Sequence, residues 1–169
     1  PFAVVPELKE TSIWIGGMSK AYAMTGWRIG LLAAAKPLAK KIAAIQSQLA
    51  GSACAISQHA SVAAFGLGND SREEMRLAFE KRSLFVASAL QAIDGIECAK
   101  PQGAFYAFPN IKAFLGFTDP DSGRKIESGD DLVEVLLDQD RVALIGGRAF
   151  GDEESFRISF ATSKDVLHQ

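Results

Sequence analysis

Short apolar runs and stretches of helical periodicity alternate along the first part of the chain. Residues 13–15 are apolar and precede two glycines, which predicts a short buried strand, and residues 28–33 predict a second strand. Proline and glycine bracket residues 37–51, where an apolar stripe predicts a helix. The stripe consists of Leu38, Ile42, Ile45 and Leu49. Residues 55–67 are rich in alanine and serine and predict a closely packed helix.

The clearest helix follows a turn at residues 66–70. Its side chains recur at steps of three and four residues, the spacing of one helix face. That face, which includes one arginine, comprises Met75, Phe79, Arg82, Val86, Ala89, Leu90 and Ile93. Asp94 and Gly95 end the helix. We place a domain boundary at its start, so that residues 1–70 form one domain and residues 71–169 a second.

The rest of the chain combines short strand candidates with two further helices. The strand candidates are residues 96–99, 104–108, 142–145 and 156–160. Ser128, with Asp131 three residues later, resembles a helix cap, and Asp130 is interpreted as a capping residue as well. A last helix is predicted after the Thr-Ser pair at residues 162–163. This mixture of strands and helices predicts an α/β fold.

Composition and charge exclude several classes of protein. Of the 169 residues, 48% are hydrophobic and 22% are charged, as is ordinary for a globular chain. The formal net charge of −2 provides no basic excess for nucleic acid or an anionic membrane surface. Two cysteines and two histidines form neither a disulfide framework nor a metal-ligand pattern. We therefore predict no metal site and expect a cytoplasmic location.

Three basic residues are candidates for a functional site. Lys20 follows the first predicted strand, and Arg28 opens the second one eight residues later. Glycines, aromatic residues and predicted strands surround both, although an arbitrary lysine or arginine is most often simply exposed. Arg157 alternates with Phe156 and Ile158 on a strand candidate, and this spacing by itself also fits an outward-facing arginine.

Residues 17–30, which read GMSKAYAMTGWRIG, resemble the lysine signature of the pyridoxal-phosphate-dependent class I aminotransferases of fold type I, in the aspartate aminotransferase group. Other segments of this chain occur in the order familiar from that family, among them residues 46–48, 101–106, 149–151 and 156–161. The resemblance implies the end of a large domain with a mixed, mostly parallel sheet, followed by a long linking helix and an α+β small domain. It further implies that the chain is the C-terminal portion of a longer enzyme, with the small domain truncated at its end.

The resemblance implies roles for four residues. Lys20 is expected to hold the aldehyde of pyridoxal phosphate as a Schiff base and to act as general acid and base at the substrate α-carbon. Arg28 is expected to bind the cofactor phosphate, and Ser19 to contribute to cofactor binding. Arg157 is expected to clamp the substrate α-carboxylate with two parallel hydrogen bonds. The chain departs from the best-known relatives at Gly17, where they have a serine that contacts the phosphate.

The implied reaction is transfer of an amino group from L-aspartate, or a similar amino acid, to 2-oxoglutarate. Two alternatives remain open: an aminotransferase for aromatic amino acids or prephenate, and a pyridoxal-phosphate-binding effector domain of a transcription regulator. The resemblance also implies a homodimer with amino acid and 2-oxo acid substrates, and no nucleic-acid or membrane partner is expected. The family residues that hold the cofactor ring precede the lysine segment, so we expect the isolated chain to be inactive.

Overall fold

The computed structural model describes residues 5–8 and 10–168, and the chain divides into two units, Pro1–Glu74 and Met75–Gln169. The first unit contains β1 (Ile13–Gly17), α1 (Met18–Ala21), β2 (Gly30–Ala34), α2 (Lys36–Leu49) and α3 (Ala55–Gly66). Helix α4 (Asp70–Gln91) runs across the division. The second unit then contains β3 (Tyr106–Ala107), α5 (Gly129–Asp140), β4 (Ile145–Gly146), β5 (Phe156–Ser159) and α6 (Lys164–Leu167). None of the helices in the described part combines the length and apolar character of a membrane span.

The strands confirm a mixed α/β fold, and all strand pairs within the described residues are antiparallel. β1 pairs with β2 from Ile13 opposite Ala34 to Gly17 opposite Gly30. The second sheet has the order β3-β5-β4, again with antiparallel neighbours. The parallel strands of the predicted sheet are therefore not represented among these pairs. In the first unit the chain returns from β1 to β2 through one connection, residues 18–29, which carries most of the candidate site.

The apolar faces of β1 and α2 are exposed, so the prediction of a buried first strand is wrong for this chain. Ile15 in β1 is 76% exposed, and Leu49 at the end of α2 is 80% exposed. An apolar pattern shows that a face suits packing, but it does not identify the segment that covers the face. The core of the first unit lies instead at the connection between the strands and on α3. It consists of Met18, Met24, Ile29 and Ala64.

Several strand predictions differ from the structure: the strand predicted at residues 104–108 is confined to Tyr106–Ala107, and the one predicted at residues 142–145 is Ile145–Gly146. β2 begins at Gly30 and not at Arg28, because Arg28 has a left-handed backbone with φ of 52° and cannot belong to an extended strand. Residues 96–99 contribute an isolated bridge between Glu97 and Asn110 in place of a strand.

Two apolar clusters form the core of the second unit. One consists of Val86, Leu90, Cys98, Ala107 and Phe160. The other consists of Ile111, Ile126, Val133, Val135 and Phe156. Ile158 of β5 packs against both clusters, as does Ile96. β5 is thus held from two sides, and this fixes the backbone on which Arg157 lies.

The predicted cap of α5 is confirmed. Ser128 Oγ accepts a hydrogen bond from the Asp131 backbone N–H at 3.3 Å and donates one to Asp131 Oδ2 at 2.8 Å. The bond from the Ser128 hydroxyl, with further bonds from backbone N–H groups, lowers the pKa of the Asp131 carboxyl below its ordinary value of 3.8. A carboxyl whose pKa is lowered in the folded state stabilises that state above its unfolded pKa. This stabilisation is lost as the pH falls through the folded pKa.

Replacing Ser128 with alanine is expected to lower the free energy of unfolding by about 1 kcal/mol at neutral pH, because the first turn of α5 loses its cap. The deficit should shrink as the pH falls from the ordinary carboxyl pKa of 3.8 through the lower pKa of Asp131 in the folded state, where its carboxylate becomes protonated. Urea unfolding at neutral and acidic pH measures both effects. Ser88→Ala changes an exposed serine of α4 and should cause no loss. A deficit of equal size at both pH values would contradict the part assigned to Asp131 ionisation.

Candidate active site

Lys20 lies on the one-turn helix that follows β1 directly. Gly17 ends β1 in an extended conformation and Met18 begins α1 with its side chain 1% exposed. The buried Met18 anchors the helix, while Lys20 is exposed and Ser19 is half-buried. The amine and the hydroxyl that were predicted as site groups therefore project from a short segment whose first residue is fixed in the core.

Arg28 lies at the other end of the same connection. Its backbone is left-handed, with φ of 52°, a conformation that costs a non-glycine residue about 1 kcal/mol. One guanidinium nitrogen, Nη1, donates to the Thr25 carbonyl at 3.1 Å, which orients the side chain. The Met18 N–H donates to the Ile29 carbonyl at 3.4 Å, so the beginning and the end of the connection are joined. Strained backbone of this kind is typical of binding and catalytic segments.

Helix α3 packs against the Arg28 end of the connection and forms a hydrogen bond with it. The buried Ser57 donates from Oγ to the Trp27 carbonyl at 2.8 Å. Ser61, one turn later on the same face, donates to the Ser57 carbonyl at 2.7 Å. Ala64 completes this face inside the core of the first unit. The small side chains of α3 let the helix approach closely, and Ser57 satisfies a carbonyl directly before Arg28.

Aromatic packing secures the Lys20 end. Tyr22 caps α1, and its ring meets the Phe65 ring edge to face at a centroid distance of 5.5 Å. The guanidinium carbon of Arg72 lies 5.1 Å from the centroid of the Tyr22 ring, which is cation–π distance. These contacts hold the ring of Tyr22, which is two positions after Lys20.

Arg157 in the second unit contacts two aromatic rings. Its guanidinium carbon lies 4.4 Å from the centroid of Tyr106 and 4.6 Å from that of Phe150. Within residues 5–8 and 10–168, its guanidinium has neither a hydrogen-bond acceptor nor an anionic partner. Both rings lie at cation–π distance from the guanidinium, whose N–H donors are therefore available to a ligand. A planar edge with parallel donors suits a carboxylate.

Strand register explains why Tyr106 belongs to this site. β3 pairs with β5 so that Tyr106 lies opposite Ser159 and Ala107 opposite Ile158. Because alternate residues of a strand share a face, Arg157 and Ser159 point to the same side, and Tyr106 is the diagonal neighbour of Arg157. Sequence reasoning had no signal for this contact, since register cannot be read from either strand alone.

The structure groups the predicted site residues in two sets. Lys20, Ser19 and Arg28 lie on one connection in the first unit, and Arg157 lies with its two aromatic neighbours in the second. Ser57 was not predicted to support the site, although its place in a small-residue helix after the lysine segment was visible in the sequence.

Known proteins with related sequences cover this chain from end to end. The family model described as aminotransferase class I and II matches residues 2–169. An aspartate aminotransferase of Rhizobium meliloti (strain 1021) is 42% identical over 169 residues, covering 100% of this chain and 41% of the relative. A probable aspartate/prephenate aminotransferase of Rhizobium leguminosarum bv. phaseoli is 43% identical over 169 residues and is covered to 42%.

A solved structure shares the fold as well. The crystal structure of the aspartate aminotransferase from Rhizobium meliloti matches with a TM-score of 0.93 at 42% identity, over 99% of this chain and 42% of that one. The chain therefore belongs to the class I and II aminotransferase family. It spans about two fifths of the length of these relatives.

Proposed function

We propose that the chain is part of a pyridoxal-phosphate-dependent aminotransferase that transfers an amino group from L-aspartate, or a similar amino acid, to 2-oxoglutarate. Membership of the family supports the reaction class, and the names of the similar proteins support the amino donor. In this proposal residues 1–70 supply the end of the large domain and residues 71–169 the small domain. The observation that carries the proposal is the connection at residues 18–29, which presents an amine and a guanidinium from one buried core.

The residues of that connection fit pyridoxal phosphate by their donor chemistry. Arg28 presents an exposed planar guanidinium, which suits a phosphate dianion. Lys20 presents an exposed primary amine, the group that attaches to an aldehyde, and the half-buried Ser19 adds a hydroxyl. When bound, the cofactor supplies an electron sink and a carbonyl carbon that accepts and returns the amino group.

The proposed work of this chain is binding, orientation and proton transfer. Arg28 binds the phosphate and so fixes the cofactor beside α1. Lys20 Nζ removes a proton from the substrate α-carbon and later returns one, as a general base and then a general acid. Arg157 binds the substrate α-carboxylate with its free edge and thereby orients the α-carbon for that transfer.

Initial rates of the full-length enzyme across a panel of amino donors test the substrate. We expect aspartate with 2-oxoglutarate to be the fastest pair, and a negligible aspartate rate would remove it as the donor. Prephenate belongs in the same panel as an amino acceptor, because a relative at 43% identity carries that compound in its name. A high rate with prephenate and a low one with 2-oxoglutarate would favour the second candidate.

We also propose that the full-length protein is a cytoplasmic homodimer. The exposed apolar residues of the first unit, including Trp14, Ile15 and Leu49, are consistent with a unit that packs against further protein. Analytical ultracentrifugation of the full-length protein tests the assembly, and a monomer at micromolar concentration would contradict it.

Replacing Ser57 with alanine in the full-length enzyme should weaken the binding of pyridoxal phosphate about tenfold, because the Trp27 carbonyl beside Arg28 loses its buried donor. Absorbance titration of the apoenzyme measures the dissociation constant. Ser61→Ala is the matched control, since Ser61 is equally buried on the same helix face but bonds only within α3. Equal losses in the two variants would show that α3 acts on the fold as a whole and not on Arg28.

A further inference from the structure

A carboxylate from α5 lies against the turn that leads to the Arg157 site. Asp130 Oδ2 accepts a hydrogen bond from the Arg148 backbone N–H at 3.3 Å. Arg148 belongs to the short 3-10 helix Gly147–Phe150, which follows β4. The first N–H groups of a helix have no acceptor within the helix itself, so this carboxylate satisfies one of them from outside. Asp130 thus caps the 3-10 helix Gly147–Phe150. The sequence-based interpretation of Asp130 as a capping residue of α5 is therefore wrong.

The Asp130 carboxylate occupies the space that a side chain at Gly146 would fill. Its backbone angles, φ −60° and ψ 152°, are open to any residue, so glycine is not required for conformation. A Cβ at this position would lie 2.3 Å from Asp130 Cγ and 2.4 Å from Oδ1, far inside van der Waals contact. A side chain at Gly146 and the observed position of Asp130 therefore exclude each other.

The turn that Asp130 holds ends at one wall of the Arg157 site. Phe150 is the last residue of the 3-10 helix, and the guanidinium carbon of Arg157 lies 4.6 Å from its ring centroid. Phe108 contacts the Phe150 ring edge to face, with centroids 5.7 Å apart. The helix comprises only four residues, so Arg148 and Phe150 lie two positions apart on one short turn.

We propose that Asp130 and Gly146 form a positioning pair that holds the Phe150 ring over Arg157 and thereby sets the affinity of the site for a substrate carboxylate. The pair touches no substrate and acts through the turn. The functional half of this inference, the effect on carboxylate affinity, rests on the proposed role of Arg157 in binding the α-carboxylate. The structural half, that Asp130 holds the turn at residues 147–150, is independent of that role.

Hydrogen exchange of the full-length protein tests the structural half without any catalytic assay. Asp130→Ala should speed amide exchange in a peptide covering residues 147–151 about tenfold, because the turn loses one acceptor. Asp130→Asn retains a side-chain oxygen that can accept the same hydrogen bond and should restore slow exchange. Unchanged exchange in Asp130→Ala would overturn the proposal.

Steady-state kinetics of the holoenzyme test the functional half. Asp130→Ala should raise KM for the amino donor about tenfold and change kcat less than about twofold, because carboxylate binding is loosened and the proton transfer by Lys20 is not. Asp130→Asn should keep KM within about twofold of the unaltered enzyme. A fall in kcat with KM unchanged would overturn a positioning role at the carboxylate.

A double-substitution cycle distinguishes the pair from two separate structural defects. Gly146→Ala should reproduce the rise in KM, because its Cβ displaces the carboxylate. The combined Asp130→Ala and Gly146→Ala variant should be no worse than either single variant, because the methyl group enters the space that the carboxylate has left. Effects that multiply would overturn the coupling.

Failure of the proposed function would look different from failure of this inference. An unaltered enzyme that transaminates no donor contradicts the proposed function, and succinate binding by calorimetry then replaces KM as the test of the pair. Succinate affinity reduced about tenfold in Asp130→Ala and retained in Asp130→Asn supports the positioning pair, and equal affinity in all three proteins overturns it.

Discussion

Replacing Lys20 with alanine in the full-length enzyme is expected to remove the covalent attachment of pyridoxal phosphate and to lower turnover about a thousandfold or more. The expectation follows because the exposed amine on α1 serves both as the attachment point and as the proton carrier. Loss of the general acid and base alone costs about a hundredfold to ten thousandfold. Visible absorbance of the holoenzyme and mass spectrometry after borohydride reduction measure the attachment, and initial rates measure turnover.

Lys36→Ala provides the control for this substitution. Lys36 is an exposed lysine at the first position of α2, close in sequence to the proposed cofactor segment but not part of the connection at residues 18–29. The control should retain the attachment and the rate. If the pyridoxyl group is found on another side chain of the unaltered enzyme, Lys20 is not the attachment point, and the roles proposed for its neighbours Ser19 and Arg28 lose their basis.

Replacing Arg157 with lysine should lower kcat/KM about thirtyfold, equivalent to about 2 kcal/mol, with most of the change in KM. Lysine keeps the positive charge but offers a single donor centre in place of the planar fork. It also loses the contacts of the guanidinium with the Tyr106 and Phe150 rings, which help to position the group. Arg157→Ala should be worse still, because the carboxylate then faces the site without a cation.

Arg82→Lys is the matched control for Arg157. Its guanidinium carbon lies 5.2 Å from the centroid of the Phe79 ring, so the substitution also removes an arginine stacked on an aromatic residue of the second unit. Kinetic constants should remain unchanged in this variant. A similar loss in both variants would assign the effect to stacking and stability, and unchanged kinetics in Arg157→Lys would place the substrate carboxylate elsewhere.

Local sequence signals predicted the helices of this chain well, because their causes are themselves local. The helix predicted at residues 37–51 is α2, with proline in its first turn, and the serine cap of α5 forms the expected hydrogen bonds. Ser163 likewise caps α6 by accepting from the Val166 N–H. Capping and periodicity depend on residues within a few positions of one another. Long-range contacts therefore did not change the helices that these local signals predict.

Predictions failed where distant residues decide the outcome. Arg28 leaves the strand because its left-handed backbone closes a connection that is tied to α3 and to Met18. β1 has the composition of a buried strand and yet remains exposed in this chain, because burial depends on which segment covers a face.

The amino-acid sequence by itself determined which functional groups are present: a lysine and an arginine in a glycine- and aromatic-rich segment, and a second arginine on a strand candidate. It also carried the resemblance of these segments to one enzyme family. Only the tertiary structure decided how these groups are held. The Tyr106 and Phe150 rings on Arg157, the serine beneath Arg28 and the carboxylate beside Gly146 join residues far apart in sequence. Such contacts depend on strand register and close packing, which are properties of the folded chain as a whole.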